Sequence, residues 1–133
     1  MAIKKVLVAE DDPGVRKAFQ YLLEKDRYVL VCVCNGREAW ELLDQGKEKF
    51  DIVISDYNMP EMNGIGLLLN VRNDPRADLA RTPFILMSGG SMQASSEELA
   101  EMCEKYDAAF LTKPFSVTGP SGLIALLECA VCG

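Results

Sequence analysis

Short apolar runs alternate along the chain with segments in which apolar residues recur every three or four positions. The runs are rich in Val, Ile and Leu, which is typical of β-strands buried on both faces of a sheet. They lie at Lys5–Ala9, Tyr28–Cys34, Phe50–Asp56, Pro83–Ser88 and Ala108–Thr112. The segments with apolar residues every three or four positions predict amphipathic helices. These helices begin near Pro13, Glu38, Gly64, Ser95 and Leu123.

This alternation of strand and helix predicts an α/β domain, with a parallel sheet covered by helices on both faces. No repeat or low-complexity linker divides the chain, so we expect one domain over residues 1–133 with its core at 3–131. Right-handed crossovers bring the carboxyl ends of parallel strands to one edge of the sheet. Open α/β sheets bind their ligands at that edge, and we therefore expect the functional residues there.

Charge and composition exclude several classes of protein. The net charge is -6 and no run of Lys and Arg occurs, so direct nucleic-acid binding is not expected. The apolar run near the amino terminus stops at Glu10, which is too early for a signal peptide or a membrane span. We expect a cytoplasmic protein without membrane contact.

The chain contains five Cys and no His. The absence of His excludes Ser-His-Asp and Cys-His catalytic arrangements, and the absence of an export signal predicts reduced thiols. Cys129 and Cys132 form a CxxC pair, a pattern that also occurs in redox and zinc sites. A zinc site there would lack further ligands, so we assign the pair no function.

Residues of chemical interest collect at the carboxyl ends of the predicted strands. Each has an ordinary structural explanation, because acidic residues cap helices, Ser ends strands and Lys is usually a solvated surface charge. Together they supply what phosphoryl transfer to a carboxylate requires. Clustered carboxylates recruit a divalent cation such as Mg²⁺, one carboxylate acts as nucleophile, and Ser and Lys bind phosphoryl oxygens. The residues are Glu10, Asp11, Asp56, Ser88 and Lys113.

The order of these motifs resembles that of a response regulator receiver domain, the phosphoacceptor module of two-component signalling, as in chemotaxis regulators. The resemblance spans residues 6–115 and is specific as a combination, although each motif alone is weak. It implies a flavodoxin-like, doubly wound (βα)5 domain with strand order 2-1-3-4-5. The matching segments are Val6-Leu7-Val8-Ala9-Glu10-Asp11-Asp12-Pro13 with Arg16, Asp56-Tyr57-Asn58-Met59-Pro60 with Asn63-Gly64, Leu86-Met87-Ser88-Gly89, and Phe110-Leu111-Thr112-Lys113-Pro114-Phe115.

The resemblance also implies a metal site and a phosphoacceptor. Asp56 matches the phosphoaccepting aspartate, and Asp11 matches a direct Mg²⁺ ligand. Glu10 matches the acidic position that holds the metal through water, and Asn58 the position whose backbone carbonyl completes the coordination. Mg²⁺ is the expected cofactor, and Mn²⁺ is an acceptable substitute.

Three further positions are implied to respond to phosphorylation. Ser88 matches the hydroxyl residue that moves toward the phosphoryl group, and Lys113 the lysine that binds it. Phe110 matches an aromatic switch residue, with simple core packing as the alternative. The Lys113–Pro114 bond matches a peptide bond that the family keeps cis.

The implied function is signalling and not turnover of external substrates. A sensor histidine kinase or a histidine phosphotransfer protein would phosphorylate Asp56. The surface of the fourth predicted helix, the fifth strand and the fifth helix would then change for a downstream protein target or a missing output domain. The main alternative is a degenerate receiver that acts as a protein-binding scaffold, but Asp11, Asp56 and Lys113 are all present.

Two other classes fit less well. A phosphatase that uses an aspartyl phosphate would usually carry a second Asp at position 58, where this chain has Asn58. A flavin-binding domain of similar topology would need a hydroxyl-rich phosphate loop after the first strand. This chain has three acidic residues there, at positions 10–12, and they would repel phosphate.

Two features depart from the usual family pattern. The segment Gly89-Gly90-Ser91 is small and flexible, which predicts a phosphoryl site open to water and a short-lived signal. The helix predicted at Leu123–Val131 carries apolar residues on more than one face, which predicts a homodimer or partner contact. The alternative explanation for these apolar faces is that the native carboxyl terminus is incomplete in this sequence. The chain is either a stand-alone receiver or a piece of a longer regulator.

Overall fold

The computed structural model describes residues 4–25, 27–89 and 95–113, together with 123, 127 and 128. The strands are β1 (Lys4–Ala9), β2 (Tyr28–Val33), β3 (Ile52–Asp56), β4 (Phe84–Ser88) and β5 (Ala109–Thr112). The helices of the three longer described ranges are α1 (Pro13–Lys25), α2 (Gly36–Gln45), α3 (Gly64–Arg72), α4 (Ala77–Ala80) and α5 (Ser96–Lys105).

The strands form one parallel sheet in the order β2-β1-β3-β4-β5. This order confirms the predicted doubly wound topology. Its two faces carry separate core clusters because alternate residues of each strand point to opposite sides. In β1, Leu7 and Ala9 pack on the side of α2, α3 and α5, whereas Val6 and Val8 pack on the side of α1.

The described residues of the predicted carboxyl-terminal helix lie on the α1 side of the sheet. Leu123 and Leu127 have helical backbone and are completely buried in the same cluster as Phe19 of α1. Their apolar surface is therefore used inside the domain. Among all described helices, none is long and apolar enough to cross a membrane.

Two local features differ from the predicted elements. The second helix was predicted to begin near Glu38, because Asn-Gly pairs favour turns, but Asn35 caps α2, and its side chain accepts a hydrogen bond from Glu38 N at 2.9 Å. Gly36 is thus the first helical residue. The short helix α4 was not predicted; the Asp74-Pro75 pair before it is typical of the end of a helix. In contrast, the helix predicted to begin near Ser95 does begin there, and Ser95 caps it by accepting a hydrogen bond from Glu98 N at 3.1 Å.

The loop after β3 is held against the strand by Gly64. The Gly64 N–H donates to the carbonyl of Tyr57 at 2.9 Å, and a Cβ at this position would lie 2.5 Å from the carbonyl oxygen of Asp56 and would also clash with Leu86. No larger residue fits without moving the loop. The close approach of backbone to backbone therefore explains why Gly begins α3.

We expect Gly64→Ala to destabilise the domain by about 1–3 kcal/mol, as overpacking does. Gly89→Ala is the matched control, because a Cβ there would meet Lys113 Cβ at an ordinary 3.6 Å and the backbone is not left-handed. It should stabilise the domain by about 0.4–1 kcal/mol through a less flexible unfolded chain. Urea unfolding monitored by circular dichroism measures both. Equal effects of the two substitutions would contradict this account of Gly64.

Candidate functional site

The predicted site residues converge at the carboxyl edge of the sheet. Glu10 and Asp11 follow β1, Asp56 ends β3, Ser88 ends β4 and Lys113 follows β5. β1 and β3 are neighbours in the sheet, so the topology brings Asp56 beside the acidic pair. The Lys113 N–H donates to the Ser88 carbonyl at 2.7 Å, which fixes the lysine at the end of β4.

Three carboxylates form the centre of the site. One oxygen each of Glu10, Asp11 and Asp56 lies within 4.8 Å of the others. Glu10 is 1% exposed and Asp56 is 7% exposed, whereas Asp11 faces solvent. The cluster is thus buried on the protein side and open through Asp11.

Lys113 contacts two of these carboxylates. Its Nζ lies 3.0 Å from Glu10 Oε2 and 3.3 Å from Asp56 Oδ1. Three negative charges against this one positive charge leave an excess of negative charge at the site. The ion pair between Glu10 and Lys113 was not predicted from sequence, because the residues are 103 positions apart and only the fold brings them together.

The pKa values of the site reflect this arrangement. Burial raises the pKa of Glu10 above its ordinary value, and the charge of Asp56 raises it further, although Lys113 opposes the shift. Burial likewise raises the pKa of Asp56, with the charge of Asp11 adding to the effect. Burial alone would lower the pKa of Lys113, but its hydrogen bond to Glu10 and the two carboxylate charges raise it overall. Lys113 therefore remains positively charged.

The chain matches the family model for the response regulator receiver domain over residues 6–122. It belongs to that family. The receiver resembles chemotaxis protein CheY1 of Helicobacter pylori, with 32% identity over 113 residues that cover 84% of this chain and 86% of the relative. It also resembles the 3′,5′-cyclic-nucleotide phosphodiesterase regA of Dictyostelium discoideum, with 36% identity over 112 residues.

The solved structures agree with this assignment. Chemotaxis response regulator CheY4 of Vibrio cholerae superimposes with a TM-score of 0.76 and 27% identity, covering 97% of this receiver and 99% of that chain. The receiver spans only 14% of the length of the first curated relatives it matches, regA and the sensory/regulatory protein RpfC of Xanthomonas campestris. It is thus a receiver domain of two-component signalling.

The remaining predicted positions have different environments. Asn58 is exposed in the loop after β3. Ser88 is 2% exposed, and Phe110 in β5 is half-buried against the core on the α5 side. The roles of these residues stay predictions. The predicted cis bond involves Pro114, which lies outside the described residues.

The carboxylate cluster fits the cation that receiver domains use. Its donors are all oxygen atoms, which are the ligands preferred by the hard cation Mg²⁺ and accepted by Mn²⁺. Burial raises the pKa of both Glu10 and Asp56, and the charge of a neighbouring carboxylate adds to each shift, so these carboxylates are costly to keep ionised. A bound divalent cation would offset that cost, so the carboxylates of this cluster are suited to hold Mg²⁺ or Mn²⁺.

Sequence reasoning missed one residue that connects three parts of the fold. Arg72, at the end of α3, donates to the carbonyls of Ala80 and Thr82 around α4 and of Tyr106 and Asp107 between α5 and β5. From the local sequence, a basic residue at the end of a helix suggests only a favourable interaction with the helix dipole. Its partners lie up to 35 positions away, and nothing in the local sequence identifies them.

Proposed function

We propose that this receiver accepts a phosphoryl group on Asp56 from the phosphohistidine of a sensor histidine kinase or a histidine phosphotransfer protein. The observation that carries the proposal is the position of Asp56, which lies within the carboxylate cluster and 3.3 Å from the ammonium group of Lys113. A nucleophilic carboxylate with an adjacent fixed cation suits phosphoryl transfer, which depends mainly on positioning and charge neutralisation.

The metal would be held by the side chains of Asp11 and Asp56, with Glu10 acting through water and Asn58 through its backbone carbonyl. When bound, Mg²⁺ supplies positive charge that offsets the carboxylates and the incoming phosphoryl oxygens. Glu10 is already paired with Lys113 at 3.0 Å. Its buried carboxylate thus also keeps the lysine in place beside Asp56.

In the transfer step, an oxygen of Asp56 attacks the phosphorus atom of the phosphohistidine. A bond forms between this oxygen and phosphorus, the phosphorus–nitrogen bond breaks, and its electron pair returns to the imidazole of the partner. The product is an acyl phosphate on Asp56. Lys113 binds a phosphoryl oxygen as a point charge, and the hydroxyl of Ser88 donates a hydrogen bond to another.

The readout would be a changed protein surface. Movement of Ser88 and Phe110 toward the phosphoryl group would alter the surface made by α5, β5 and the carboxyl-terminal helix. A downstream protein or an output domain would recognise it. Because Asp56 is consumed and regenerated, the domain is a phosphoacceptor whose own chemistry is limited to self-phosphorylation and slow self-dephosphorylation. We place it in the cytoplasm, in agreement with the free thiols of Cys32, Cys34 and Cys103.

The lifetime of the acyl phosphate should be short. Gly89 follows Ser88 directly and has no side chain to cover the site, and the nearest atoms to its missing Cβ belong to Lys113. Water can therefore approach the phosphoryl group from this side. A phosphorylated form that persists for many hours would contradict this part of the proposal.

Intact-mass spectrometry tests the function. The receiver is incubated with acetyl phosphate and Mg²⁺, and we expect a single phosphate-sized addition that EDTA prevents. Beryllofluoride binding provides a second readout that does not depend on the lifetime of the acyl phosphate. Failure of both in the presence of Mg²⁺ would overturn the proposal and favour the phosphorylation-independent scaffold.

A homodimer through the carboxyl-terminal helix remains a prediction. Leu123 and Leu127 are buried within the domain, so the contact would use other residues of the predicted helix. A monomer at every concentration in sedimentation would exclude it.

A further inference from the structure

The strand β2 forms one edge of the sheet and carries none of the usual protection against pairing. Its residues Tyr28–Val33 include no charge and no proline. Val29 is 45% exposed, and the four residues that follow it are half-buried. Natural edge strands are normally blunted by charged residues, proline or bulges, because an open edge can pair with another strand.

The backbone groups available at this edge follow from the strand register. Glu10 N donates to the carbonyl of Val33 at 3.1 Å, so the backbone groups of Val33 face β1. In a parallel ladder, successive residues direct their backbone groups to opposite sides. The N–H and C=O groups of Leu30 and Cys32 therefore face outward.

The row of outward-facing backbone groups of β2 stops where the Glu38 side chain binds the backbone. The next outward N–H belongs to Cys34, and the Glu38 side chain accepts its hydrogen bond at 2.8 Å. The carboxylate thus terminates the edge at its carboxyl end and places a negative charge there. Arg27 lies directly before the strand at the opposite end and is exposed. Among the described residues, neither Arg27 nor Glu38 forms an ion pair.

We propose that β2 pairs antiparallel with β2 of a second copy of this chain and joins the two sheets. In this arrangement Leu30 of one copy exchanges backbone hydrogen bonds with Cys32 of the other. The two-fold symmetry brings Arg27 of each copy toward Glu38 of its partner copy, twice in the dimer. Parallel pairing would instead place like charges together, so charge complementarity selects the antiparallel dimer.

This dimer would leave the phosphorylation site free. The carboxyl edges of the two sheets point in opposite directions when their β2 strands are antiparallel, and α5 and β5 lie at the far side of each sheet. The proposal does not rest on the proposed function. We expect dimerisation to be independent of phosphorylation.

Sedimentation velocity over a range of concentrations tests the proposal. The mass of the wild type should rise from 14.7 kDa toward twice that value. Val29→Lys puts a charge on the exposed edge and should raise the dissociation constant of the dimer by about tenfold or more. Tyr21→Lys is the matched control, because Tyr21 is 70% exposed and lies on α1, outside the strand that would pair. It should dimerise like the wild type.

The ionic contact is tested by two milder substitutions. Arg27→Asn removes the guanidinium and tolerates the left-handed backbone at φ 69°, and Glu38→Gln removes the charge while keeping an acceptor for Cys34 N. Both should weaken the dimer and reduce its sensitivity to salt. A monomer at all concentrations, a dimer that Val29→Lys leaves intact, or a dimer that forms only with beryllofluoride would each overturn the proposal.

Discussion

Asp56→Asn should abolish the addition of phosphate and, at the same time, raise the thermal stability of the metal-free domain. The functional loss follows because an amide oxygen is a poor nucleophile and neither remaining carboxylate is placed as Asp56 is. Glu10 also pairs with Lys113, at 3.0 Å, but it is 1% exposed against 7% for Asp56, so a phosphodonor cannot reach it. Asp11 faces solvent but forms no ion pair with Lys113 in the described structure. No second acceptor should therefore replace Asp56.

The gain in stability follows from the sign of the pKa shift. Burial raises the pKa of Asp56 in the folded state, so the folded protein binds a proton more tightly at this position than the unfolded chain does. The free energy of unfolding therefore decreases as the pH rises through the folded pKa, and the ionised carboxylate is a cost at neutral pH. Asparagine resembles the uncharged form and removes that cost.

Thermal melts and intact mass together test this prediction. We expect the melting temperature of Asp56→Asn to exceed that of the wild type by a few degrees without metal, and Mg²⁺ to stabilise the wild type more than the variant. Asp51→Asn is the control, because Asp51 precedes the same strand at its opposite end and accepts from Lys5 N at 2.7 Å. It should keep phosphate uptake and lose stability. Wild-type uptake by Asp56→Asn would refute the assignment.

Most of the fold was accessible from the sequence because local pattern and topology agree. Each apolar run became a strand, and the parallel order followed from the alternation with helices. The convergence of Glu10, Asp56 and Lys113 could be expected because each follows or ends a strand of one sheet. The ion pair between Glu10 and Lys113 could not, because a side-chain contact across strands depends on rotamers and burial that the pattern does not encode.

The predictions failed at the start of α2 and at α4, because at both places the local sequence does not decide the structure. Asn35-Gly36 suits both a turn and a helix start, and the cap contact with Glu38 N decides for the helix. The short helix α4 has no buried residue, so no apolar stripe reveals it. Its end is instead tied to the domain by Arg72, a tertiary contact that cannot be read from local sequence.

Arg72→Met should therefore destabilise the domain strongly, by about 3–5 kcal/mol. The guanidinium donates to four backbone carbonyls at distances from 2.6 to 3.1 Å, and hydrogen bonds from a charged donor contribute about 1.5–3 kcal/mol each. Solvent can reach some of these carbonyls after the substitution, which keeps the loss below the full sum. Burial lowers the pKa of Arg72, so the charge itself carries a desolvation cost. The urea midpoint should fall by about 2–3 M.

Arg76→Met separates this effect from the loss of any arginine. Arg76 makes as dense a set of contacts, to Asp74 and Asp44 at 2.8–2.9 Å, but it is exposed, and its partners regain water when it is removed. Its substitution should cost far less than that of Arg72. If the two variants lose equal stability, the carbonyls around Arg72 are not its source of stabilisation. If Arg72→Met alone is strongly destabilised, the connection from α5 to β5 is anchored at the amino end of β5. Under the proposed function, phosphorylation would then move only the opposite, carboxyl end of β5, where Lys113 contacts Asp56.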